Sequence, residues 1–176
     1  DCAFNFMYYK DFWILKLKKN GGIIWEKTYG GPYLEKADDI VVLEDGGFGL
    51  IGDKCNHGYD IGRCSPKAKV LFMRLNEHGD LLEEQEWSGL KFSERLPFFS
   101  ITTTANDGFA WIAEHKSKGT WVHKFGPNEE SVSMFPDGYG GFDINRTSDS
   151  GFIIGTWGGN IIKTDDELNY EASPNE

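Results

Sequence analysis

A short motif that ends in Gly-Phe occurs three times in this chain, and it constrains the fold more than any other sequence feature. The copies are Asp45-Gly46-Gly47-Phe48, Asn106-Asp107-Gly108-Phe109 and Asp149-Ser150-Gly151-Phe152. Each copy lies between two short, largely apolar runs, and glycine there supplies the positive φ that a tight hairpin turn requires. The motif therefore predicts three hairpins of antiparallel strands.

A second pattern recurs in the same order along the chain. Residues 11–31 form an apolar run, an Asn-Gly turn and a second run that ends in Tyr-Gly-Gly, and the same arrangement returns 58 positions later. Weaker copies occupy residues 120–141 and 161–165. Together the two motifs define a unit of strand, turn, strand, loop, strand, turn and strand. Four antiparallel strands per unit of about 40–60 residues are typical of a propeller blade.

The whole chain, residues 1–176, is therefore predicted to be a single all-β domain, a β-propeller of four-stranded antiparallel blades. The 22 glycines, with 13 Phe, 7 Tyr and 6 Trp, favour short strands and tight turns over helices. The strands amount to about 3.5–4 blades, with approximate bounds 1–31, 32–89, 90–139 and 140–176. Either four blades close a ring or the chain is part of a larger propeller. Because an open strand edge invites aggregation, we expect closure or association of chains.

The first third of the chain resembles a known family. The segments 11–17, 25–31, 37–40 and 45–48 look like the tandem β-propeller repeats, of the seven-bladed-propeller type, of secreted bacterial and archaeal proteins. The resemblance is close over residues 11–53 and weakens towards the C-terminus. It implies a propeller in an exported or cell-surface protein, and therefore an extracellular location. It implies no catalytic residue, because the shared motif is a folding motif.

The charge of the chain excludes some classes of partner. The 18 basic and 28 acidic side chains give a formal net charge of −10. A nucleic-acid-binding protein needs cations to displace the counterions around phosphate, so we expect no nucleic-acid partner. No apolar run approaches the roughly 20 residues that span a bilayer, so we expect no membrane insertion.

The three cysteines, Cys2, Cys55 and Cys64, suggest one disulfide. Eight residues separate Cys55 from Cys64, and a short glycine-bearing loop of this kind can close a bridge in an oxidising compartment. We therefore predict a Cys55–Cys64 disulfide. The alternative is three free thiols in a cytosolic protein. Cys2 would be left free or paired outside this chain.

Two groups of residues are candidates for ligand binding. The loop between Cys55 and Cys64 departs from the repeat, and its polar and aromatic side chains suit recognition: Tyr59, Asp60 and Arg63. Aromatic residues end the repeats one or two positions before a glycine, where they could stack on sugar rings or on a protein partner: Tyr29, Trp87, Tyr139 and Trp157. The alternatives are a stapled loop without a ligand and aromatic packing between adjacent blades, which the repetition itself favours.

Neither a catalytic residue nor a metal site is assigned from the sequence. His115 and His123 fall on neighbouring strands, but two histidines do not make a zinc site. The acidic groups at residues 143–145 and 165–167 offer the oxygen ligands that calcium prefers, although a solvated acidic turn explains them better. We therefore expect no cofactor, calcium being the candidate if there is one.

Three functions remain open. The first is a non-enzymatic module that binds a glycan or a protein partner. The second is a polysaccharide-acting enzyme, which requires carboxylates from different blades, such as Asp39 and Asp143, to converge near the ring centre. The third is a structural segment of a larger surface assembly, in which a homo-oligomer or the rest of a parent polypeptide completes the ring.

Overall fold

The computed structural model describes residues 10–55, 69–88, 99–115, 119–127, 129–135 and 140–170. Within these ranges the chain forms thirteen β-strands and no helix. The strands are β1 (Phe12–Leu17), β2 (Ile23–Tyr29), β3 (Leu34–Val42), β4 (Phe48–Cys55), β5 (Lys69–Leu75), β6 (Leu81–Trp87), β7 (Ser100–Thr103), β8 (Phe109–His115), β9 (Gly119–Gly126), β10 (Glu129–Phe135), β11 (Gly141–Arg146), β12 (Phe152–Thr156) and β13 (Ile161–Thr164).

The strands form four antiparallel sheets that follow one another along the chain. Sheet 1 contains β1 and β2, sheet 2 contains β3 to β6, sheet 3 contains β7 to β10, and sheet 4 contains β11 to β13. Within each sheet, every strand pairs with the next one in sequence, so the strands follow a meander order. The predicted all-β class is confirmed. Over the described ranges, the four sheets do not close into a ring.

One turn geometry recurs in the hairpins. In the turn after β3, the N–H of Leu43 donates to the oxygen of Gly47 (2.9 Å), and the N–H of Gly46 donates back to the oxygen of Leu43 (3.0 Å). Gly46 has a positive φ of 80°. The same pair of backbone hydrogen bonds occurs in turns that begin at Lys18, Asn76, Thr147, Thr156 and Asp165. A turn of this form ends one strand and reverses the chain into the next.

The glycine of the recurring motif has a different role from the one expected. The positive φ belongs to the residue before it, Asp107 (58°) in one copy and Ser150 (71°) in another. A Cβ at Gly151 would lie only 2.0 Å from the carbonyl oxygen of Thr164, and one at Gly47 only 2.4 Å from a carbonyl oxygen of β5. The expectation that a motif glycine supplies the positive φ is therefore confirmed at Gly46 and wrong in the other two copies. The position before Phe is glycine because the backbone of the neighbouring strand leaves no room for a side chain.

Successive sheets pack face to face, and an apolar cluster fills each space between them. Phe12 of sheet 1 packs on one face of sheet 2, against Leu50, Leu71, Met73 and Leu75. The opposite face of sheet 2 packs on sheet 3 through Ile51, Val70, Phe72, Phe99, Ile101, Phe109, Trp111, Ala113 and Phe125. Sheet 3 packs on sheet 4 through Ala110, Ile112, Val122, Phe135, Ile144, Phe152, Ile154 and Leu168.

Strand alternation explains how a single strand can serve two clusters. Successive side chains of a strand point to opposite faces of its sheet, so Leu50 of β4 enters the cluster with sheet 1 while Ile51 enters the cluster with sheet 3. A strand that is buried on both faces must be apolar at nearly every position, as β5 is at Val70-Leu71-Phe72-Met73. The described residues include no helix with the length and apolar character required to cross a membrane.

Candidate functional site

A cleft of about 250 Å³ lies between sheet 1 and sheet 2. One wall is the end of β2 and the glycines that follow it. The other is the face of sheet 2 that looks towards sheet 1. The side chains important for its chemistry are Tyr29, Glu35, Lys54, Leu71, Met73 and Glu84. Of the residues predicted from the sequence to bind a ligand, Tyr29 lines this cleft.

The cleft keeps its shape because β2 is fastened to the turn between β5 and β6. The hydroxyl of Tyr29 donates to the carbonyl oxygen of Gly79 (2.5 Å), and the indole N–H of Trp25 donates to that of Glu77 (3.1 Å). Burial, with a smaller effect of the nearby Asp80 carboxylate, raises the pKa of Tyr29, so its hydroxyl stays protonated as a donor. Sheet 1 is thus held at one end by polar bonds and along its face by the apolar contacts of Phe12.

Glu35 is the unusual group in the cleft. Its exposed fraction is 1%, and the N–H of Gly31 donates to its carboxylate. Its Oε2 atom is buried and has no hydrogen-bond partner in the part of the chain that the structure describes. Burial raises the pKa of Glu35, an effect partly offset by the Gly31 N–H and by the charge of Lys54. A buried carboxylate oxygen without a partner costs about 1–3 kcal/mol or more, and such a cost is common at functional sites.

The charges around Glu35 leave the cleft negative. The ammonium group of Lys54 lies 2.6 Å from Glu86 Oε1, and the other oxygen of Glu86 lies 2.5 Å from the ammonium of Lys69. The positive charge of Lys54 is therefore shared with Glu86 instead of being directed only at Glu35. Glu84, which is exposed, adds a second carboxylate to the lining.

The structure places Trp87 in the packing between sheets 2 and 3. Its ring centroid lies 4.8 Å from that of Phe125, 5.1 Å from that of His123 and 5.7 Å from that of Trp111. Trp87 is half-buried among these rings. These contacts correspond to the alternative interpretation of the repeated aromatic residues, packing between neighbouring sheets.

Trp157 lies on the surface of sheet 4. It is 56% exposed, and its ring centroid is 5.1 Å from that of the exposed Phe142. Neither ring is brought to the cleft between sheets 1 and 2. The remaining predicted binding residues, Tyr59, Asp60, Arg63 and Tyr139, lie outside the described residues. Cys55 ends β4, but its predicted partner Cys64 also lies outside them, so this disulfide stays a prediction.

A second polar group forms where the first strands of three sheets meet. The hydroxyl oxygen of Ser100 (β7) lies 2.9 Å from Asp39 Oδ2 (β3) and 3.2 Å from Asp143 Oδ1 (β11). Asp39 Oδ2 also accepts the N–H of Ile101 (2.9 Å), and Ser100 Oγ accepts the N–H of Ile144 (3.4 Å). The two carboxylates singled out from the sequence therefore converge on one buried serine. The bonds also join the three strands, which is a structural role in its own right.

Metal-ligating side chains are not gathered into one place. Over the described ranges, no group of three or more His, Cys, Asp and Glu side chains is arranged to hold a metal ion. At the acidic turn of residues 165–167, the Asp165 carboxylate accepts hydrogen bonds from the side-chain amide (2.9 Å) and backbone N–H (2.8 Å) of Asn169. These bonds lower the pKa of Asp165.

Comparison with known proteins gives little further information. No protein-family model matches the chain, and no curated protein matches it. A protein of unknown function from Bacteroides caccae, solved by crystallography, is similar in structure with a TM-score of 0.47 and 12% sequence identity. The match covers 91% of this chain and 68% of that one.

Proposed function

We propose that this chain is a non-enzymatic binding module whose ligand, part of a glycan or of a protein partner, enters the cleft between sheets 1 and 2. The observation that carries the proposal is the buried, unpartnered Oε2 atom of Glu35. Folding leaves such an atom at a cost that a ligand with a hydrogen-bond donor would remove. The cleft combines this polar atom with an apolar wall formed by Leu71 and Met73, which is the usual composition of a ligand site.

Printed arrays of oligosaccharides and peptides test this proposal. We expect the labelled protein to bind at least one class of probe, and the isosteric Glu35→Gln variant to lose that binding while keeping its thermal midpoint. The matched control is Glu83→Gln, because Glu83 is an exposed neighbour of Glu84 on β6 but is not part of the cleft lining. Binding that survives in Glu35→Gln, or no binding to any probe, would refute the proposal.

We also propose that the sheets are blades of a β-propeller in an exported or cell-surface protein. Support comes from the meander order of each sheet, from the face-to-face stacking of successive sheets, and from the contacts between β3 and β7 and between β7 and β11. A homo-oligomer or further parts of a parent polypeptide would complete the ring. The native mass under non-reducing conditions tests this: about 20 kDa means that one chain is self-contained, whereas a multiple of it means that the ring is completed between chains.

A second candidate function is a polysaccharide-acting enzyme, and the convergence of Asp39 and Asp143 on Ser100 favours it. Glycoside hydrolysis uses two carboxyl groups on either side of the scissile bond. Asp143 is exposed and could meet a substrate, whereas Asp39 is half-buried and already accepts three hydrogen bonds. Release of reducing ends from a panel of polysaccharides would establish the activity, and its loss in Asp143→Asn would assign it to this pair. Hydrolysis that Asp143→Asn leaves unchanged would exclude these carboxylates.

A further inference from the structure

We propose that the group received by the cleft between sheets 1 and 2 is a primary ammonium, held by the carboxylate of Glu35, with Glu84 as a second negative charge in the lining. This inference rests on the proposed function, because it names the chemistry of the ligand that binds there. An ammonium group of this kind is found on amino sugars and on lysine side chains. The two sources present the same charged donor to the cleft, and they differ in what surrounds it.

The geometry of Glu35 favours a donor over an acceptor. A deprotonated carboxylate accepts hydrogen bonds and donates none. Gly31 supplies one bond to Glu35, and Oε2 has none within the described ranges. A neutral hydroxyl could satisfy that oxygen, but it would leave the charge of the buried carboxylate compensated only in part, by Lys54. An ammonium supplies both the missing bond and the missing charge, and a charge-assisted bond is about twice as strong as a neutral one.

The surroundings of Glu35 favour the same ligand. The cationic side chain in the lining is that of Lys54. Its ammonium group already forms an ion pair with Glu86 at 2.6 Å. Glu84 adds a second negative charge that a cation would meet as it enters. With a formal net charge of −10, the whole protein also attracts cations before contact. An anionic ligand would instead be repelled by the net charge of the protein as it approaches and by Glu84 as it enters the cleft.

Titration calorimetry with matched pairs of small probes tests the inference. The sugar pair is glucosamine against glucose, with N-acetylglucosamine as the probe in which the amine is neutralised. The lysine pair is Nα-acetyl-lysine methylamide against the same compound acetylated at Nε. We expect the charged member of at least one pair to bind at least about tenfold more tightly than its neutral counterpart, the difference that one charge-assisted bond provides. Preference between the two charged probes identifies the source of the ammonium.

Three variants locate the binding. Glu35→Gln keeps the shape of the side chain and should reduce the affinity for the charged probe at least about tenfold. Glu84→Lys reverses the charge of an exposed residue, so it reports on the cleft even if the buried variant does not fold. Glu83→Gln serves as the control and should bind like the wild type.

The outcomes separate this inference from the proposed function. If glucose and glucosamine bind equally and Glu35→Gln weakens both, the proposal that the ligand is an ammonium is wrong. The proposal that the chain is a binding module is then still supported. Tight binding of the charged probe that neither Glu35→Gln nor Glu84→Lys weakens would overturn the site. If none of the probes binds but the array finds another ligand whose binding depends on Glu35, the proposal that the ligand is an ammonium is again wrong and the binding module is supported.

Discussion

The buried carboxyl group of Asp53 tests whether the interior of sheet 2 raises the pKa of an acidic side chain. This residue of β4 is 3% exposed, and its backbone pairs with Lys36 of β3 and Val70 of β5. Burial, together with the negative charge of Asp38, raises the pKa of Asp53 from 3.8 to about 6, although the charge of Lys36 opposes the shift. We expect Asp53→Asn, which cannot ionise, to change the pH dependence of stability in one direction.

The sign follows from proton binding. In the unfolded chain Asp53 releases its proton near pH 3.8, but in the folded protein it keeps the proton to about pH 6. Between these values the unfolded state binds fewer protons, so the free energy of unfolding falls as pH rises. The shift of about two pH units corresponds to about 3 kcal/mol. That amount of stability is present below pH 4 and is lost above pH 7 in the wild type, and the variant does not lose it.

Urea unfolding followed by tryptophan fluorescence at several pH values between 4 and 7.5 measures this difference. Relative to the wild type, Asp53→Asn should gain about 2.5 kcal/mol of this between the two ends of the range, whatever its offset at pH 4. Because Asp38 and Asp53 repel each other, the difference belongs to the pair and not to one carboxyl. Asp45→Asn is the control. The N–H of Gly47 and the side chain of Arg74 lower the pKa of that exposed carboxyl below 3.8, so its effect has the opposite sign and lies below the measured range, where its profile should stay parallel to that of the wild type. Parallel pH profiles for wild type and Asp53→Asn would refute the reasoning.

Three further predictions concern packing, the recurring turn and the disulfide. Trp87→Ala should lower the free energy of unfolding by about 3 kcal/mol in urea titration, because its ring fills the space between sheets 2 and 3; an unchanged midpoint would mean that this packing contributes nothing. Gly151→Ala should cost about 2 kcal/mol through its clash with a strand carbonyl oxygen, whereas Gly22→Ala, which meets only flexible side chains, should cost less in the same assay. Cys64→Ser should lower stability by about 2–3 kcal/mol without reductant and not with it; equal stability in both conditions would exclude the predicted bridge to Cys55.

Much of the fold could be predicted because turns and apolar runs are local signals. Asn20-Gly21 and the Gly-Phe motifs each mark a reversal, and the apolar runs beside them are strands in the structure. The reason for the motif glycine was not predictable in the same way. The backbone oxygen that excludes a side chain at Gly151 belongs to Thr164, on the far side of the next hairpin. Only the register between β12 and β13 brings the two together.

The cleft could not be predicted, because its central residue carries no local signal. Glu35 lies beside Lys36 in a strand with several charged residues, where a solvated edge is the simplest expectation. It is buried because β3 pairs it with Lys54 across the sheet, and because sheet 1 then covers that face. In contrast to Glu35, Asp39 and Asp143 could be expected from the repeat to lie close together, because each lies in the first strand of a sheet. Tyr29 was predicted as a binding residue because of its aromatic ring. In the structure, its hydroxyl group holds the wall of the cleft in place through its hydrogen bond to Gly79.

The stacking of four sheets has a consequence for the way in which this protein opens. Sheets 2 and 3 each contribute to two apolar clusters, while over the described ranges sheets 1 and 4 contribute to one. Detachment of an end sheet therefore exposes one cluster, but detachment of an inner sheet exposes two, so opening should begin at the ends and move inwards. Amide hydrogens of β4, β5, β8 and β9 should then exchange most slowly with solvent, and those of β1, β2 and β13 should exchange first. The cleft next to Glu35 lies between the end sheet 1 and its neighbour, sheet 2. A ligand bound there would hold the two sheets together and should slow amide exchange in β1 and β2.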